Sequence, residues 1–174
     1  GEELLNISER NADRLRRRVG VMFQQGALFS SHTVLENVAV PLKEHTDLSQ
    51  ATVELIARLK VALAGLPGEA SYKYPRQLSG GMLKRAAVAR ALALDPELLL
   101  LDEPSAGLDP VSANALDELI LQLRDSLGLT MVMVTHDLDS LWRVTDRVAF
   151  LGEKRVIELD SMAVLSRSEH PLIQ

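Results

Sequence analysis

Two carboxylates side by side, Asp102 and Glu103, follow the apolar run Leu98 to Leu101 without a break. Adjacent acids at the end of a short strand suit phosphoryl transfer from a nucleotide. Asp102 can hold Mg2+ directly or through water, while Glu103 faces the attacking water as base or positioner. Other short apolar runs also end in polar residues: Gln24 after Phe23, Thr135 and His136 after Val134, and Gly152 after Leu151. In an open parallel sheet, functional groups gather beyond the carboxyl ends of the strands. Gln24 and His136 can therefore reach the same crevice as the acids and hold the metal, the water and the terminal phosphate. Ser79-Gly80-Gly81 opens a helical pattern, and exposed amides with the helix dipole make such a start an anion site. Each signal alone has a plain structural reading: a capped loop residue, a helix-cap pair, a turn. Their order and common strand-end placement argue for chemistry.

These residues need elements to position them. Val19 to Phe23 reads as a short buried strand, and "TVLENVAVPL" carries apolar residues at helical spacing until Pro41. Ser49 caps a helix whose apolar positions recur every three or four residues until Gly65 and Pro67. A second helix starts at Ser79-Gly80-Gly81 and runs to about Leu94, where Asp95-Pro96 ends it. Leu98 to Leu101 is too short for a helix. There follow a helix from Asp109-Pro110 to about Leu127, a strand over 130–134, a helix over 138–144 and a strand over 147–151. Strands separated by helices of this length predict an α/β fold with parallel pairing and helices on the faces. The uniformly apolar "LLLL" and "MVMV" predict strands covered on both sides.

A chain of 174 residues that is 47% apolar supports one compact domain. Its 19 basic residues against 24 acidic ones leave a net charge of −5, with no field that draws a protein to nucleic acid. The one basic cluster, Arg14, Arg16, Arg17 and Arg18, reads as a solvated face. The absence of cysteine excludes disulfides and suits a cytosolic setting. No apolar run approaches the roughly 20 residues of a membrane span, and "GEELLNISERN" lacks the pattern of a signal peptide.

The motifs together resemble the nucleotide-binding domain of ABC transporters. "LSGGM" at 78–82 is similar to the family's signature, "LLLLDE" at 98–103 to its Walker B strand with the catalytic glutamate, and "SAGLD" at 105–109 to its D-loop. His136 in "VTHD" matches the switch histidine and Gln24 in "MFQQ" the Q-loop glutamine. The resemblance implies a partial P-loop NTPase fold of the ABC ATPase kind. It is α/β, a mostly parallel sheet flanked by helices, with a helical signature subdomain over about 26–94 inside one nucleotide-binding domain spanning 1–174. It implies ATP and Mg2+ as cofactors, with Asp102 and Gln24 on the metal and Glu103, Gln24 and His136 in catalysis. Two such domains pair head to tail, so that Ser79, Gly80 and Gly81 meet the terminal phosphate of ATP held by the other copy. Asp109 sits at that seam. A transmembrane permease subunit docks near 26–45, which sets the ATPase on the cytoplasmic face of the inner membrane. "FQQGALFSSHTVLENVAVPL" and a signature ending in Met82 resemble the Mla, or toluene-tolerance, branch, which serves phospholipid-type transport.

One family feature is missing. No G-x-x-x-x-G-K-[ST] cradle for the phosphates occurs, nor any Gly-Lys pair. "GEELL" resembles the segment after the Walker A helix, so the chain is expected to begin just past that motif. On this reading it binds and hydrolyses ATP poorly by itself, leaves a gap in the sheet with unpaired edges and bare apolar faces, and self-associates to cover them. The alternative is a non-catalytic regulatory or assembly module that pairs with an intact ABC ATPase. A third class, the ATPases of DNA repair and chromosome structure, carries long coiled-coil insertions between glutamine and signature, whereas Gln24 and Ser79 are only 55 positions apart.

Overall fold

Three short strands, β1 (Val19–Met22), β2 (Leu98–Asp102) and β3 (Thr130–Val134), pair in parallel in the order β1-β2-β3. In the computed structural model, which describes residues 9–173, they belong to the first of two compact units, divided after Val134. The register sets Met22 opposite Leu101 and Asp102 opposite Val134. Paired residues share a sheet face. On one face Met22, Leu99 and Leu101 are fully buried. On the other, Val21 and Leu100 are only half-buried, and Val132 and Val134 of the edge strand β3 are 51% and 57% exposed. The expected two-sided cover thus fails for β3. An all-apolar run is compatible with one open face, because periodicity alone does not say what covers it.

The helices of this unit are α1 (Glu9–Arg17), α2 (Val34–His45), α3 (Gln50–Leu63), α4 (Gly80–Ala91) and α5 (Pro110–Leu127). Ser49, Ser79 and Asp109 cap α3, α4 and α5 as the sequence indicates, each side chain accepting backbone amides of the first turn. Pro41 does not end α2, which runs four residues further. A proline inside a helix costs about 3 kcal/mol. A Thr33–Glu36 capping box opens the helix, and Val34, Val38 and Leu42 are buried against α3 and α4, each contributing about 1.5–3 kcal/mol. Burial wins. α4 ends at Ala91, three residues short of the expected end, and its last turn tightens through Ala93 N–H donating to the Arg90 carbonyl. A single apolar cluster spanning 28–94 unites α2, α3 and α4, with Val53, Ala57, Val61 and Ala86 at its centre.

In the second unit α6 (Leu138–Val144) precedes β4 (Val148–Gly152), β5 (Arg155–Asp160) and the short α7 (Met162–Leu165). β4 was expected as a further parallel strand. It pairs instead antiparallel with β5, through a two-residue turn in which Glu153 and Lys154 both have positive φ, the type I′ geometry of a tight hairpin. The four arginines expected to be solvated are exposed, and Arg18 also makes a bidentate surface ion pair with Glu97 at 2.5 and 2.7 Å, linking the start of β1 to that of β2.

Where α4 ends, its backbone lies directly against β1. A Cβ on Gly20 would run into the Ala91 carbonyl oxygen and come within 3.0 Å of Leu99 Cδ1. Gly20→Ala should therefore lower unfolding stability by about 1–3 kcal/mol. Gly68→Ala, at a position with nothing within 4 Å, should stay within about 0.5 kcal/mol. Equal denaturation midpoints for the two variants would contradict this close approach.

Candidate functional site

Parallel register brings the ends of β1 and β2 to the same edge, so Gln24 leaves the sheet beside Asp102 and Glu103. Asp102 is exposed and Glu103 half-buried. Glu103 has φ +45, a left-handed conformation that a non-glycine residue adopts only when its surroundings impose it. Three bonds do so. Its amide donates to the Val134 carbonyl at 2.8 Å, and its own carbonyl accepts from the Ala106 amide at 3.2 Å and from Lys84 Nζ at 3.0 Å.

Lys84 is the residue that sequence reasoning missed. It is 5% exposed, and its ammonium donates to the carbonyls of Glu103 and of Gln24, the latter at 2.5 Å. Burial pulls its pKa below the ordinary lysine value, while the charges of Glu103 and Asp102 pull it back up. Less than two turns further along α4, Arg90 donates to the carbonyls of Ala27 at 2.6 Å and Gly26 at 2.9 Å. Burial likewise lowers the pKa of Arg90. Gly26 and Ala27 are both left-handed, with φ of +75 and +48, so the loop after Gln24 turns sharply under these contacts. A signal for Lys84 does exist in the sequence. α4 is small and apolar almost all round, with Ala86, Ala87, Val88, Ala89 and Ala91 buried, so a cation on it has little chance of reaching solvent. Asn37, fully buried on α2, is a second omission: its amide group bonds Phe29, His32 and Thr33 and shapes the chain beyond the loop.

Ser79, Gly80 and Gly81 form the start of α4, the first two exposed and Gly81 half-buried, and Ser79 Oγ accepts from the Met82 amide at 3.3 Å. A Cβ on Gly80 would lie 3.2 Å from Leu108, and one on Gly81 3.7 Å from Ser112. The starts of α4 and α5 therefore lie side by side. Asp109 caps α5, its Oδ1 accepting from the amides of Val111 and Ser112 at 3.1 and 3.0 Å. His136 is exposed and follows β3 in the second unit, ahead of Asp137, the cap of α6. Gly152 ends β4 within the hairpin of that unit. Among the described residues no group of three or more His, Cys, Asp or Glu side chains could close around a metal. Asp102 and Gln24 offer one carboxylate and one amide oxygen, a donor set that fits Mg2+, which takes one or two protein oxygens and leaves the rest to water and substrate phosphates.

The fold that carries this sheet edge is similar to that of solved ATP-binding cassettes. The dimeric post-hydrolysis state of the ATP-binding cassette MJ0796 bound to ADP and Pi matches with a TM-score of 0.79 and 30% identity, over 90% of this chain and 68% of that one. CbiO1 from Clostridium perfringens, part of the ABC transporter complex cbiONQ, matches with a TM-score of 0.83 and 29% identity, over 94% of this chain and 65% of that one. The family model for ABC transporters matches residues 2–106, more than half of the sequence. The chain belongs to the ABC transporter family. The intermembrane phospholipid transport system ATP-binding protein MlaF of Haemophilus influenzae is 38% identical over 97% of this chain. The probable ribonucleotide transport ATP-binding protein mkl of Mycobacterium tuberculosis is 38% identical over the whole of it. The chain spans 64% of the length of the first relative and 48% of the second.

Asp109 gives the paired helix starts a pH signature. The Ser112 hydroxyl first, and its amide next, hold the Asp109 carboxyl below the ordinary aspartate value of 3.8. A carboxylate held low in the folded state stabilises it above the unfolded pKa, and that gain is lost as pH falls through the folded one. Asp109→Asn keeps a capping acceptor without the charge. The stability difference between wild type and this variant should therefore shrink below pH about 4. A difference constant from neutral pH down into acid would separate Asp109 from this linkage.

Proposed function

We propose that the chain forms the catalytic sheet edge and the signature helix of an ATP hydrolase that drives phospholipid-type transport through a membrane permease. The observation that carries this reading is the placement of Asp102 and Glu103 at the end of β2, beside the Gln24 loop and bonded to it through one buried cation. Mg2+, when bound, neutralises charge on the transferring phosphoryl group, and Asp102 with Gln24 would hold it. Glu103 accepts the proton of the attacking water. The water oxygen bonds to the terminal phosphorus, the bridging P–O bond breaks, and ADP and phosphate leave. The match of Gln24 to the Q-loop glutamine and of His136 to the switch histidine supports roles for them in orienting the water and the terminal phosphate.

Ser79, Gly80 and Gly81 would meet the ATP of a second copy, with Asp109 at the seam. The dimeric state of MJ0796 supports a paired arrangement, and the adjacent exposed starts of α4 and α5 suit a shared face. The apolar cluster of 28–94 supports a helical subdomain over about 26–94, and the permease would dock near 26–45. The protein would then sit peripherally on the cytoplasmic face of the inner membrane. No helix among the described residues is long and apolar enough to cross a bilayer. Phospholipid as cargo rests on the likeness to MlaF. The sequence holds no G-x-x-x-x-G-K-[ST] cradle, so the activity is proposed for this chain joined to one. The alternative is an assembly module that pairs with an intact ATPase.

Calorimetry of Mg-ATP on the 174-residue chain, beside the chain joined to an upstream cradle, separates the two: binding and turnover only in the joined protein support the first. In that protein Glu103→Gln should keep nucleotide affinity and slow hydrolysis at least about 100-fold. Hydrolysis near the wild-type rate would remove Glu103 from proton transfer.

A further inference from the structure

Both loops of the proposed hydrolysis site meet at one side chain. We propose that Lys84 is a positioning residue for hydrolysis, holding the Gln24 and Glu103 backbones in fixed relation by donating to both carbonyls.

Lys84 Nζ lies 2.5 Å from the Gln24 carbonyl and 3.0 Å from that of Glu103, two acceptors 79 residues apart in sequence. An ammonium buried in a helix of small apolar residues loses its hydration, and a methionine of similar length would avoid that cost. What the ammonium supplies, and an apolar side chain does not, is a donor shared between the two loops. Neither loop is regular. Glu103 is left-handed, and the chain after Gln24 passes through left-handed Gly26 and Ala27. Strained backbone of this kind keeps its shape only where contacts over-determine it. Lys84 also lies on α4, five residues, or about 7 Å of helix, beyond Ser79. Its ammonium therefore fixes both loops to the helix whose start is proposed to face the nucleotide of a second copy.

Lys84 touches neither base nor sugar in this scheme, so its loss should affect turnover and spare affinity. The inference rests on the proposed ATPase activity, and the experiment separates the two. Steady-state hydrolysis and nucleotide affinity would be measured for the cradle-bearing wild type and for its Glu103→Gln, Lys84→Met, Lys84→Gln and Lys84→Arg variants, well below their melting temperatures. Lys84→Met should lower kcat about tenfold or more with KM for ATP within about threefold. Lys84→Arg, which carries two or more donors as Arg90 does, should recover at least about a third of the wild-type rate. Lys84→Gln keeps two donors without charge and should fall between, so it carries the test if the methionine variant does not fold. A wild-type kcat in Lys84→Met and Lys84→Gln would overturn the assignment while Glu103→Gln remained inactive. A loss appearing equally in KM would overturn it too, and so would failure of Lys84→Arg to recover. An inert wild type would overturn the ATPase reading and this inference with it.

Discussion

β2 is bonded on both sides, and this double pairing decides what the first unit can do. With Leu101 opposite Met22 and Asp102 opposite Val134, the strand ends are fixed to within one residue of each other. A slip of one residue would send Leu99 and Leu101 from the buried face to the half-open one. The fully buried Met22, Leu99 and Leu101 forbid it. The same burial that stabilises the sheet therefore sets Gln24 beside Asp102 and Glu103, which lie about 80 positions away along the chain. Packing and chemistry share one register.

α4 supplies the second constraint, through cations that end on backbone carbonyls. Lys84 reaches Gln24 and Glu103, Arg90 reaches Gly26 and Ala27, and Arg85 reaches Ala64 at 3.2 Å and Ala115 at 2.9 Å. Ala64 caps the C-terminus of α3, where helix carbonyls have no partner of their own, so Arg85 satisfies an orphan acceptor. A charge-assisted bond is about twice as strong as a neutral one. Six carbonyls from four separate segments are thereby tied to one helix. Through these bonds α4 ties together the Gln24 loop, the end of α3, the end of β2 and the first third of α5.

Local chemistry made much of this readable in advance. Ser49, Ser79 and Asp109 announce helix starts because their side-chain oxygens satisfy first-turn amides, an effect that needs no tertiary partner. β1, β2 and β3 were legible as short apolar runs bounded by breakers, as was the joint placement of Gln24, Asp102 and Glu103. What escaped depended on partners distant in sequence. Pro41 reads as a stop until the burial of Val38 and Leu42 is known. β5 follows a Glu-Lys turn, and without the glycine or asparagine that usually marks a type I′ hairpin, its pairing with β4 leaves no local signal. The small apolar residues around Lys84 hint that α4 is enclosed, but the two distant carbonyls it reaches leave no local signal. Arg18 is exposed as expected, but its ion pair with Glu97, far along the chain, leaves no local signal.

Strain and charge meet at the same places. Among the described residues of the first unit, the non-glycine positions with positive φ are Ala27, Asp95 and Glu103. Each is held by a cation: Ala27 by Arg90 through its carbonyl, Glu103 by Lys84 through its carbonyl, and Asp95 by the buried Lys60, whose Nζ lies 2.5 Å from Oδ1. A left-handed non-glycine residue costs on the order of 1 to 3 kcal/mol, and one charge-assisted bond contributes about 1.5–3 kcal/mol. The two are of the same size, so Lys84 and Arg90 can offset the turns they hold through the backbone, while the Lys60 bond to the exposed Asp95 carboxylate contributes less. The three turns stand in the loop after β1, within the α4-to-β2 connection and just past the end of β2, the joints where helix and sheet exchange direction. A glycine at any of them would remove the strain and leave the loop free to take other shapes. A strained residue clamped by a cation keeps one shape, and at Glu103 that shape decides where a carboxylate stands.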